Sequence, residues 1–213
     1  MSIEGFTKVL KPLNVKNIMK KILFLALLLP MVSFAQEETT TTEVKSEVPT
    51  NRFTVAANYT FSDPSQFGLS FEYKNKDTEH DRNTSKLLNL SYGQMNYDNN
   101  FVDVDGEGFV IELGSRTYIQ KGKWDGFYGE NFISYGNIKF DEQIGALGKF
   151  DGTYCYWSIL NPNVGYRFLI GGLSIDPSIG ANWKWEVKGK GDVDNKNVDN
   201  FVFRAGIKIG YSF

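Results

Sequence analysis

FVFRAGIKIGYSF, residues 201–213, alternates between apolar and polar side chains along its whole length. One parity, which runs from Phe201 to Phe213, carries seven residues that are all apolar or aromatic. The other parity has six residues, of which only Val202 is apolar. Successive side chains of a β-strand point to opposite faces of its sheet. This period of two therefore predicts a strand with one apolar and one polar face.

The same pattern extends back through most of the chain. Between Leu173 and Val187 the odd-numbered residues are apolar, while the even-numbered ones are polar or glycine. No stretch of the body has the period of 3.6 that indicates an amphipathic helix. The strand at 126–140 is the least regular, because Phe132 and Ile138 share a parity with Glu130, and we expect a bulge or mixed facing there. The alternation and the intervening turn residues predict eight strands, near 52–61, 67–75, 86–96, 107–119, 126–140, 153–169, 173–188 and 200–213.

Strand length and strand number indicate the architecture. Several predicted strands exceed the about five or six residues typical of soluble sheets, and they suit tilted strands that cross a bilayer. An even number of strands closes a small antiparallel barrel and removes the exposed edges that an apolar-faced sheet could not tolerate. The sequence therefore predicts an all-β fold, a closed antiparallel up-and-down transmembrane β-barrel of about eight strands over residues 52–213. A soluble, lipocalin-like barrel with its apolar face inside is the structural alternative.

The composition of the polar parity favours an interior position for it. Gly, Ser and Asn dominate this parity and fit a narrow lumen, and charges of both signs occur at matched positions. An unpaired buried charge is very costly, so we expect these charges to pair and to plug the barrel; a narrow polar conduit is the alternative. The predicted lumen network comprises Glu72, Glu112, Arg116, Arg167, Asp176, Lys184, Glu186, Arg204 and Lys208, with Glu130 as a further carboxylate on the same face.

The apolar parity is graded along the strands, with aromatic residues towards the ends and aliphatic residues in the middle. Trp183 and Trp185 lie near one end of their strand, and Tyr211 and Phe213 lie at the end of the last one. Aromatic girdles at both interfaces are typical of membrane barrels. We therefore expect these four side chains to face lipid.

An apolar alternating last strand that ends in Tyr211-Ser212-Phe213 resembles the C-terminal assembly signal of bacterial outer-membrane barrels. With the predicted strands, residues 52–213 resemble the small eight-stranded outer-membrane β-barrel family, which includes OmpX-like, OmpW-like and OmpA-transmembrane-like proteins. The resemblance implies insertion by the barrel-assembly machinery, contact with outer-membrane lipid, and both termini in the periplasm. It then places the segments near 62–66, 97–106, 141–152 and 189–199 outside the cell.

The N-terminal residues have the features of an export signal. A basic start at 19–21 precedes an apolar run over 22–32 and a small-x-small cleavage site that ends at Ala35. The run is too short for a membrane-spanning helix. The predicted order is a signal peptide over 1–35 with its true start at Met19, a flexible Thr- and Glu-rich tail over 36–51, and the barrel. Export and the barrel pattern together predict the bacterial outer membrane.

Composition excludes several classes of function. One cysteine in 213 residues rules out a disulfide framework and a multi-cysteine metal site, and a formal net charge of −2 argues against nucleic-acid binding. His80, the only histidine, has no second catalytic partner at a defined site, and Cys155 has no neighbouring base. We expect no catalytic residue, cofactor or metal. The acidic segments 103–107 and 192–195 fail the calcium-loop spacing; they suit solvated loops, or loose contact with lipopolysaccharide through bridging cations.

These observations predict a non-enzymatic outer-membrane β-barrel, porin-like in architecture, that is a scaffold for surface loops and for interactions with envelope partners. The outer segments 141–152 and 189–199 and the N-terminal tail are the predicted contact regions. A narrow channel for small polar solutes or ions is the alternative, because the predicted lumen is polar. A lipid A-modifying enzyme is less favoured, because the sequence has no catalytic constellation.

Overall fold

The computed structural model describes residues 53–77, 82–98, 102–120, 123–145 and 148–213. The predicted signal peptide, the predicted tail and His80 lie outside the described residues. Most of the described chain belongs to β-strands. Within these ranges no helix is long and apolar enough to cross a membrane.

The strands are β1 (Phe53–Phe61), β2 (Ser65–Asp77), β3 (Arg82–Asp98), β4 (Asp103–Tyr118), β5 (Gly126–Ile144), β6 (Gly148–Leu160), β7 (Pro162–Ile170), β8 (Leu173–Gly191) and β9 (Phe201–Ser212). A short 3-10 turn, Asn195–Asn197, lies between β8 and β9. The strand positions agree with those predicted from the alternation, with two differences. The sixth predicted strand is divided into β6 and β7, and most strands are longer than predicted: β3, β4, β5, β6 and β8 extend into the predicted outer segments, and β2 and β3 extend towards each other.

Hydrogen bonding between neighbouring strands closes the sheet into a ring. Each of β1 to β5 pairs antiparallel with the next, β8 pairs with β9, and β9 returns to β1. β6 and β7 share one position, because both pair with β5 on one side and with β8 on the other. The ring therefore has eight positions, and the predicted closed up-and-down barrel is confirmed. At the closing seam the amide of Phe53 donates to the carbonyl of Phe213 at 3.1 Å, and the amide of Phe213 donates back at 2.9 Å.

A bulge at Asn161 divides β6 from β7. Three residues lie between Ser158 and Pro162, whereas two lie between their register partners in β5. Because of this extra residue, two consecutive side chains, Ile159 and Leu160, are exposed. The Asn131 side chain of β5 bridges the gap: its amide donates to the carbonyl of Ile159 at 3.2 Å, and its oxygen accepts from the amide of Asn161 at 3.1 Å. The carbonyl of Ile159 and the amide of Asn161, which the bulge removes from the regular strand pairing, thus have hydrogen-bond partners on the outward face.

The irregularity predicted for the fifth strand takes the form of mixed facing. Strand β5 pairs with β4 without a break in register. Phe132 and Ile138 point into the barrel together with Glu130, and all three are buried. The bulge lies in the neighbouring strand instead, at Asn161.

A second bulge lies in β8 at Val187. Glu186 and Lys188 pair with consecutive residues of β6, so Val187 is the extra residue. An extra residue reverses the side-chain parity of the strand beyond it. Lys184 therefore points into the barrel before the bulge, whereas Lys188 and Lys190 point outward after it.

The two faces of β3 exchange their polarity part way along the strand. Its outward side chains are apolar over residues 88–92 and polar over 94–98. Its inward side chains are polar or small over 89–93 and apolar at Met95 and Tyr97. The lower part of the barrel thus has an apolar outside and a polar inside, whereas the upper part has the arrangement of an ordinary water-soluble protein.

We call the outward apolar surface the belt and the part of the structure above it the crown. The belt contains side chains from every strand, among them Val55, Leu69, Leu90, Ile111, Ile133, Trp157, Phe168, Ile179 and Ile207, all of them exposed. The crown consists of 94–98, 103–107, 137–144, 148–155 and 188–200. Strands β1 and β2 end at the top of the belt, so the crown rises on one side of the barrel.

Inside the barrel, aromatic rings lie against glycines of neighbouring strands. Phe132 faces Gly114, and Tyr156 faces Gly136, each pair being register partners. A Cβ atom on Gly114 would come within 2.4 Å of the Phe132 ring, and one on Gly136 within 2.2 Å of the Tyr156 ring. Glycine is therefore required at these positions to make room for large rings in a narrow lumen.

Replacing Gly136 by alanine should destabilise the barrel, because the new methyl group would overlap the buried Tyr156 ring. Overpacking of this kind costs about 1–3 kcal/mol. Urea titration of the folded band in a heat-modifiability gel measures the loss. Gly129→Ala is the matched control, because it lies in the same strand and no described atom lies within 4 Å of the position of its new Cβ. Equal stability of the two variants would contradict this packing.

Candidate functional site

Ten charged side chains are buried among the described residues, six of them basic and four acidic. All of them point into the barrel from the polar parity of their strands. Eight of them belong to two charge clusters. Lys184 pairs instead with Asp63 of the β1–β2 turn, and Lys74 belongs to neither cluster. The ten are Glu72, Lys74, Glu112, Arg116, Glu130, Arg167, Asp176, Lys184, Arg204 and Lys208.

The lower cluster joins Arg116 and Arg167 to Glu72, Glu130 and Asp176. Arg116 donates from Nε and Nη2 to Glu130 Oε2 at 2.9 and 2.8 Å, and from Nη1 to Asp176 Oδ2 at 2.9 Å. Arg167 donates from Nε to Asp176 Oδ1 at 2.8 Å and from Nη2 to Glu72 Oε2 at 2.6 Å. Two guanidinium groups thus connect three carboxylates, and the cluster ties β2, β4, β5, β7 and β8 together across the lumen.

Further donors complete the surroundings of these carboxylates. Ser85 Oγ donates to Glu72 Oε1 at 2.6 Å, and the Tyr118 hydroxyl donates to the same oxygen at 3.0 Å. Lys208 Nζ donates to Glu130 Oε1 at 3.3 Å. Buried carboxylates are stable only when such partners surround them, and each of the three carboxylates here accepts hydrogen bonds from at least two side chains.

The upper cluster is built around Arg204 and Glu112. Arg204 donates from Nη1 to Glu112 Oε1 at 2.7 Å and from Nη2 to Oε2 at 3.3 Å, a forked geometry that fixes both groups. The Asn89 amide donates to Oε2 at 2.9 Å, and Asn161 Nδ2 and Ser134 Oγ each donate to Oε1 at 3.2 Å. The bulge between β6 and β7 therefore also serves the lumen, because it turns Asn161 towards Glu112.

Little space remains between the two clusters. A void of about 10 Å³ lies there, and Glu130, Phe132, Arg204 and Lys208 are among the residues that line it. A volume of this size holds about one water molecule. Side chains thus fill the lumen at this level.

An apolar plug closes the crown end of the lumen. It consists of Met95, Tyr97, Val104, Ile138, Phe140, Phe150, Tyr154, Tyr156, Val193 and Val198, all buried. The two valines belong to the segment between β8 and β9. The Tyr97 hydroxyl accepts from the backbone amide of Asp194 at 3.1 Å and from the side-chain amide of Asn197 at 3.0 Å. This segment folds over the end as a lid, and the sequence analysis did not predict that.

A second group of rings closes the opposite end. Tyr118, Trp124 and Tyr128 form a buried cluster, with the Tyr118 ring centroid 5.6 Å from that of Trp124 and 5.9 Å from that of Tyr128. Lys74 Nζ lies 5.8 Å from the centroid of the Trp124 ring and donates to Ser212 Oγ at 3.2 Å. Within the described part of the chain, packed rings therefore close both ends of the lumen.

The structure places eight of the nine residues of the predicted network inside the barrel and buried. Lys184 differs from expectation in its partner: it reaches up to the β1–β2 turn and donates to the carbonyl and the carboxylate of Asp63 at 2.8 and 3.2 Å. Glu186, the ninth, lies above the clusters at the level of the apolar plug, where its register partner is Tyr156, and it is half-buried. The clusters therefore do not include Glu186.

Sequence reasoning missed two charged residues at the lumen. Lys74 shares the parity of Glu72 in β2, so the alternation was a signal that could have found it. Asp63 lies in a turn, where no periodicity exists, and only the fold brings its carboxylate to Lys184.

The four predicted girdle residues lie on the outward face. Trp183, Tyr211 and Phe213 are exposed, and Trp185 is half-exposed. The Trp183 ring centroid lies 6.4 Å from that of Trp185 and 6.1 Å from that of Phe201. The two tryptophans lie at the upper edge of the belt, and Tyr211 and Phe213 lie at its lower edge.

Other candidate groups lie outside the lumen. Cys155 is half-exposed on the outward face of β6. Asp103 and Asp105 accept from the side-chain amide of Asn96 at 2.7 and 3.1 Å, and Asp192 accepts from a backbone amide at 3.0 Å. In the ranges that the structure describes, no group of three or more His, Cys, Asp and Glu side chains is arranged to hold a metal ion.

Comparison with known proteins gives structural similarity at low sequence identity. No family model and no curated protein matches the chain. One similar solved structure is the N-terminal β-barrel domain of Pseudomonas aeruginosa OprF, with 13% identity over 76% of this chain and 96% of that chain and a TM-score of 0.41. Another is the attachment invasion locus protein Ail of Yersinia pestis, with 15% identity over 76% of this chain and 96% of that chain and a TM-score of 0.41. A third is Acinetobacter baumannii CarO, with 12% identity over 75% of this chain and 97% of that chain and a TM-score of 0.43. These are small outer-membrane β-barrel proteins, and the likeness concerns the fold alone.

Replacing Arg116 by methionine should destabilise the barrel by about 3–5 kcal/mol, because the carboxylates of Glu130 and Asp176 then remain buried without their main partner. Urea titration of the protein in lipid vesicles measures the loss. Lys139→Met is the control: it removes an exposed cation that pairs with Asp141 at 3.2 Å, and such pairs contribute about 0–1 kcal/mol. A loss no larger than that of the control would contradict a stabilising role for the lower cluster.

Proposed function

We propose that this chain is a non-enzymatic, non-conducting barrel of the bacterial outer membrane. In this proposal the belt faces lipid, the sealed lumen holds the barrel rigid, and the crown presents a structured surface to envelope or extracellular partners. The barrel-assembly machinery inserts the chain and recognises its last strand, including Phe213.

The belt is the observation that carries the membrane location. It surrounds the barrel with exposed aromatic and aliphatic side chains, such as Leu113 and Ile179, which are 58% and 64% exposed. Soluble monomers rarely expose a contiguous apolar surface larger than a few hundred Å². The exchange of polarity along β3 supports the same location, because the outward face becomes polar where a strand would leave the lipid.

The orientation follows from the family that the sequence resembles, in which both termini lie in the periplasm. The crown then lies outside the cell, and the ring cluster around Trp124 faces the periplasm. The positions of Trp183 and Trp185 at one edge of the belt and Tyr211 at the other support this assignment, because aromatic residues concentrate at membrane interfaces.

The filled lumen supports a scaffold rather than a channel. Eight strands leave an interior just wide enough for side chains, and here the two charge clusters, the apolar plug and the lower ring cluster occupy it in turn. The polar side chains that run through the middle of the lumen are the one feature that favours a channel for small polar solutes or ions, which is the second candidate function.

Membrane location is tested by Ile209→Lys, which places a charge near the middle of the belt; Ile209 is 49% exposed. A lysine near the midplane costs about 2–4 kcal/mol, so the variant should be depleted from the outer-membrane fraction and lose its heat-modifiable mobility. Gln94→Lys is the matched control, because it lies on the same outward face but in the crown, and it should insert normally. Recovery of the wild-type chain as a soluble periplasmic protein would refute the proposal.

The lumen is tested by planar-bilayer recording of the wild-type protein and of Glu112→Ala and Arg204→Ala. We expect no steady conductance from the wild type, because the void between the clusters holds only about one water molecule. Either variant removes one half of the upper cluster but leaves both end plugs in place, so it should also remain closed. Steady conductance of the wild type would favour the channel.

A further inference from the structure

Three lysines form a group on the outward face of the crown. Lys139 of β5 and Lys188 and Lys190 of β8 surround a shallow cleft of about 430 Å³, whose floor includes Thr153 and Cys155 of β6. Thr153 is the register partner of Lys139 on one side and of Lys190 on the other. Two inter-strand spacings amount to about 10 Å, so the long side chains of these two lysines reach a common point above Thr153.

The bulge at Val187 creates this group. Without the extra residue, Lys188 and Lys190 would continue the inward parity of Lys184 and point into the apolar plug. β-bulges commonly redirect side chains next to functional sites. β6 and β8 pair on both sides of the bulge, so ring closure does not require it.

The cleft begins directly above the belt. Tyr135, Trp157 and Trp185 are register partners on three adjacent strands and form an outward row of rings. The next outward row contains Cys155 and Lys188, and the lysines on either side of Thr153 follow in the row above that. Aromatic rings with lysines immediately beyond them are typical of the level at which lipid headgroups lie.

Two of the three lysines of β8 form no ion pair with a described residue. Among the described residues neither Lys188 nor Lys190 has an ion-pair partner. Lys139 pairs with Asp141 at 3.2 Å, and Asp141 also pairs with Lys149 at 2.8 Å. Hydrogen bonds from Lys149 and Lys139 hold the pKa of Asp141 below its usual value, so this carboxylate stays charged and is shared between two cations.

Acidic groups lie near the cleft on several sides. Asp141 and Asp151 are register partners in the next outward row above it, and Glu186, Asp192 and Asp194 line a second cleft together with Lys188 and Lys190. Glu107 of β4 is the register partner of Lys139, and it already accepts a hydrogen bond from the Tyr92 hydroxyl. Asp141 and Asp151 already pair with Lys149, and Asp192 accepts a hydrogen bond from the amide of Asp151. Among the described residues, Lys188 and Lys190 are thus the cations of the cleft that form no ion pair, and Lys139 contributes a weaker third contact.

We propose that Lys188 and Lys190, assisted by Lys139, bind the phosphate group of a phosphorylated lipid in the outer leaflet. This inference rests on the proposed outer-membrane location and adds a lipid contact at a defined place on the crown. Lysine ammonium groups bind phosphate as point charges, and Thr153 offers a hydroxyl donor between them. A lipid is favoured over a soluble anion because the cleft opens at the upper edge of the belt, where acyl chains would lie along Trp157.

The chain provides its own probe, because Cys155 is its only cysteine and lies in the cleft. Full-length protein is folded into phosphatidylcholine nanodiscs with increasing fractions of lipid A, and the rate of Cys155 modification by a polar maleimide is measured. The ratio of the rates without and with lipid A cancels any effect of a substitution on the thiol itself. We expect lipid A to slow the reaction of the wild type. The fraction of lipid A needed for half protection should rise about fivefold for each lysine replaced, and about 25-fold in Lys188→Gln/Lys190→Gln.

Lys196→Gln is the matched control, because it removes an exposed lysine of the crown outside the cleft and should leave the protection unchanged. Equal protection in the double variant and in the wild type would overturn the inference. Equal protection of the wild type by inorganic phosphate or by sucrose octasulfate in pure phosphatidylcholine would assign the site to a soluble anion and overturn the lipid. Unprotected Cys155 in a chain that keeps its heat-modifiable mobility would overturn the inference while the outer-membrane proposal stands. Failure to enter any bilayer would overturn both.

Discussion

Completion of the hydrogen-bonded ring is the constraint on which the rest of the structure depends. Lipid offers no partner for a backbone amide or carbonyl, so a barrel surrounded by lipid must satisfy each of these groups from within. The pair between Phe53 and Phe213 closes the seam between the first strand and the last. The side chain of Asn131 satisfies backbone groups at the bulge between β6 and β7. Both features serve the same need, one through the backbone and one through a side chain.

A ring of eight positions leaves a narrow interior, and that width determines what fills it. Several large rings fit because the facing strand has glycine, as at Gly114 and Gly136. Most of the buried charges meet opposite charges from other strands, as Arg116 meets Glu130, whereas Lys74 lies against Trp124 and Ser212. The apolar plug begins where the outward face becomes polar, because above that level the inside of the crown is the only place where apolar side chains escape water.

Alternation is a local property of the chain, and this is why it predicted the strands, the closed barrel and the inward position of most of the charges. Features that depend on the register of remote strands were beyond it. The bulge at Val187 exists only relative to β6, and it decides which lysines face outward. The contact between Lys184 and Asp63 spans 121 positions in the chain. The burial of Val193 in the lid requires a finished barrel, because an isolated acidic loop gives it nothing to pack against.

The composition of the lower cluster has a consequence for the order in which the protein is built. Glu72 comes from the second strand, Arg116 from the fourth and Asp176 from the eighth, so the cluster is incomplete until nearly the whole chain is in place. Hairpins that entered lipid one at a time would each carry bare charge into it, at a prohibitive cost. The charges of the lower cluster are therefore neutralised only when β2, β4, β5, β7 and β8 have come together, so its ion pairs form as the ring nears completion.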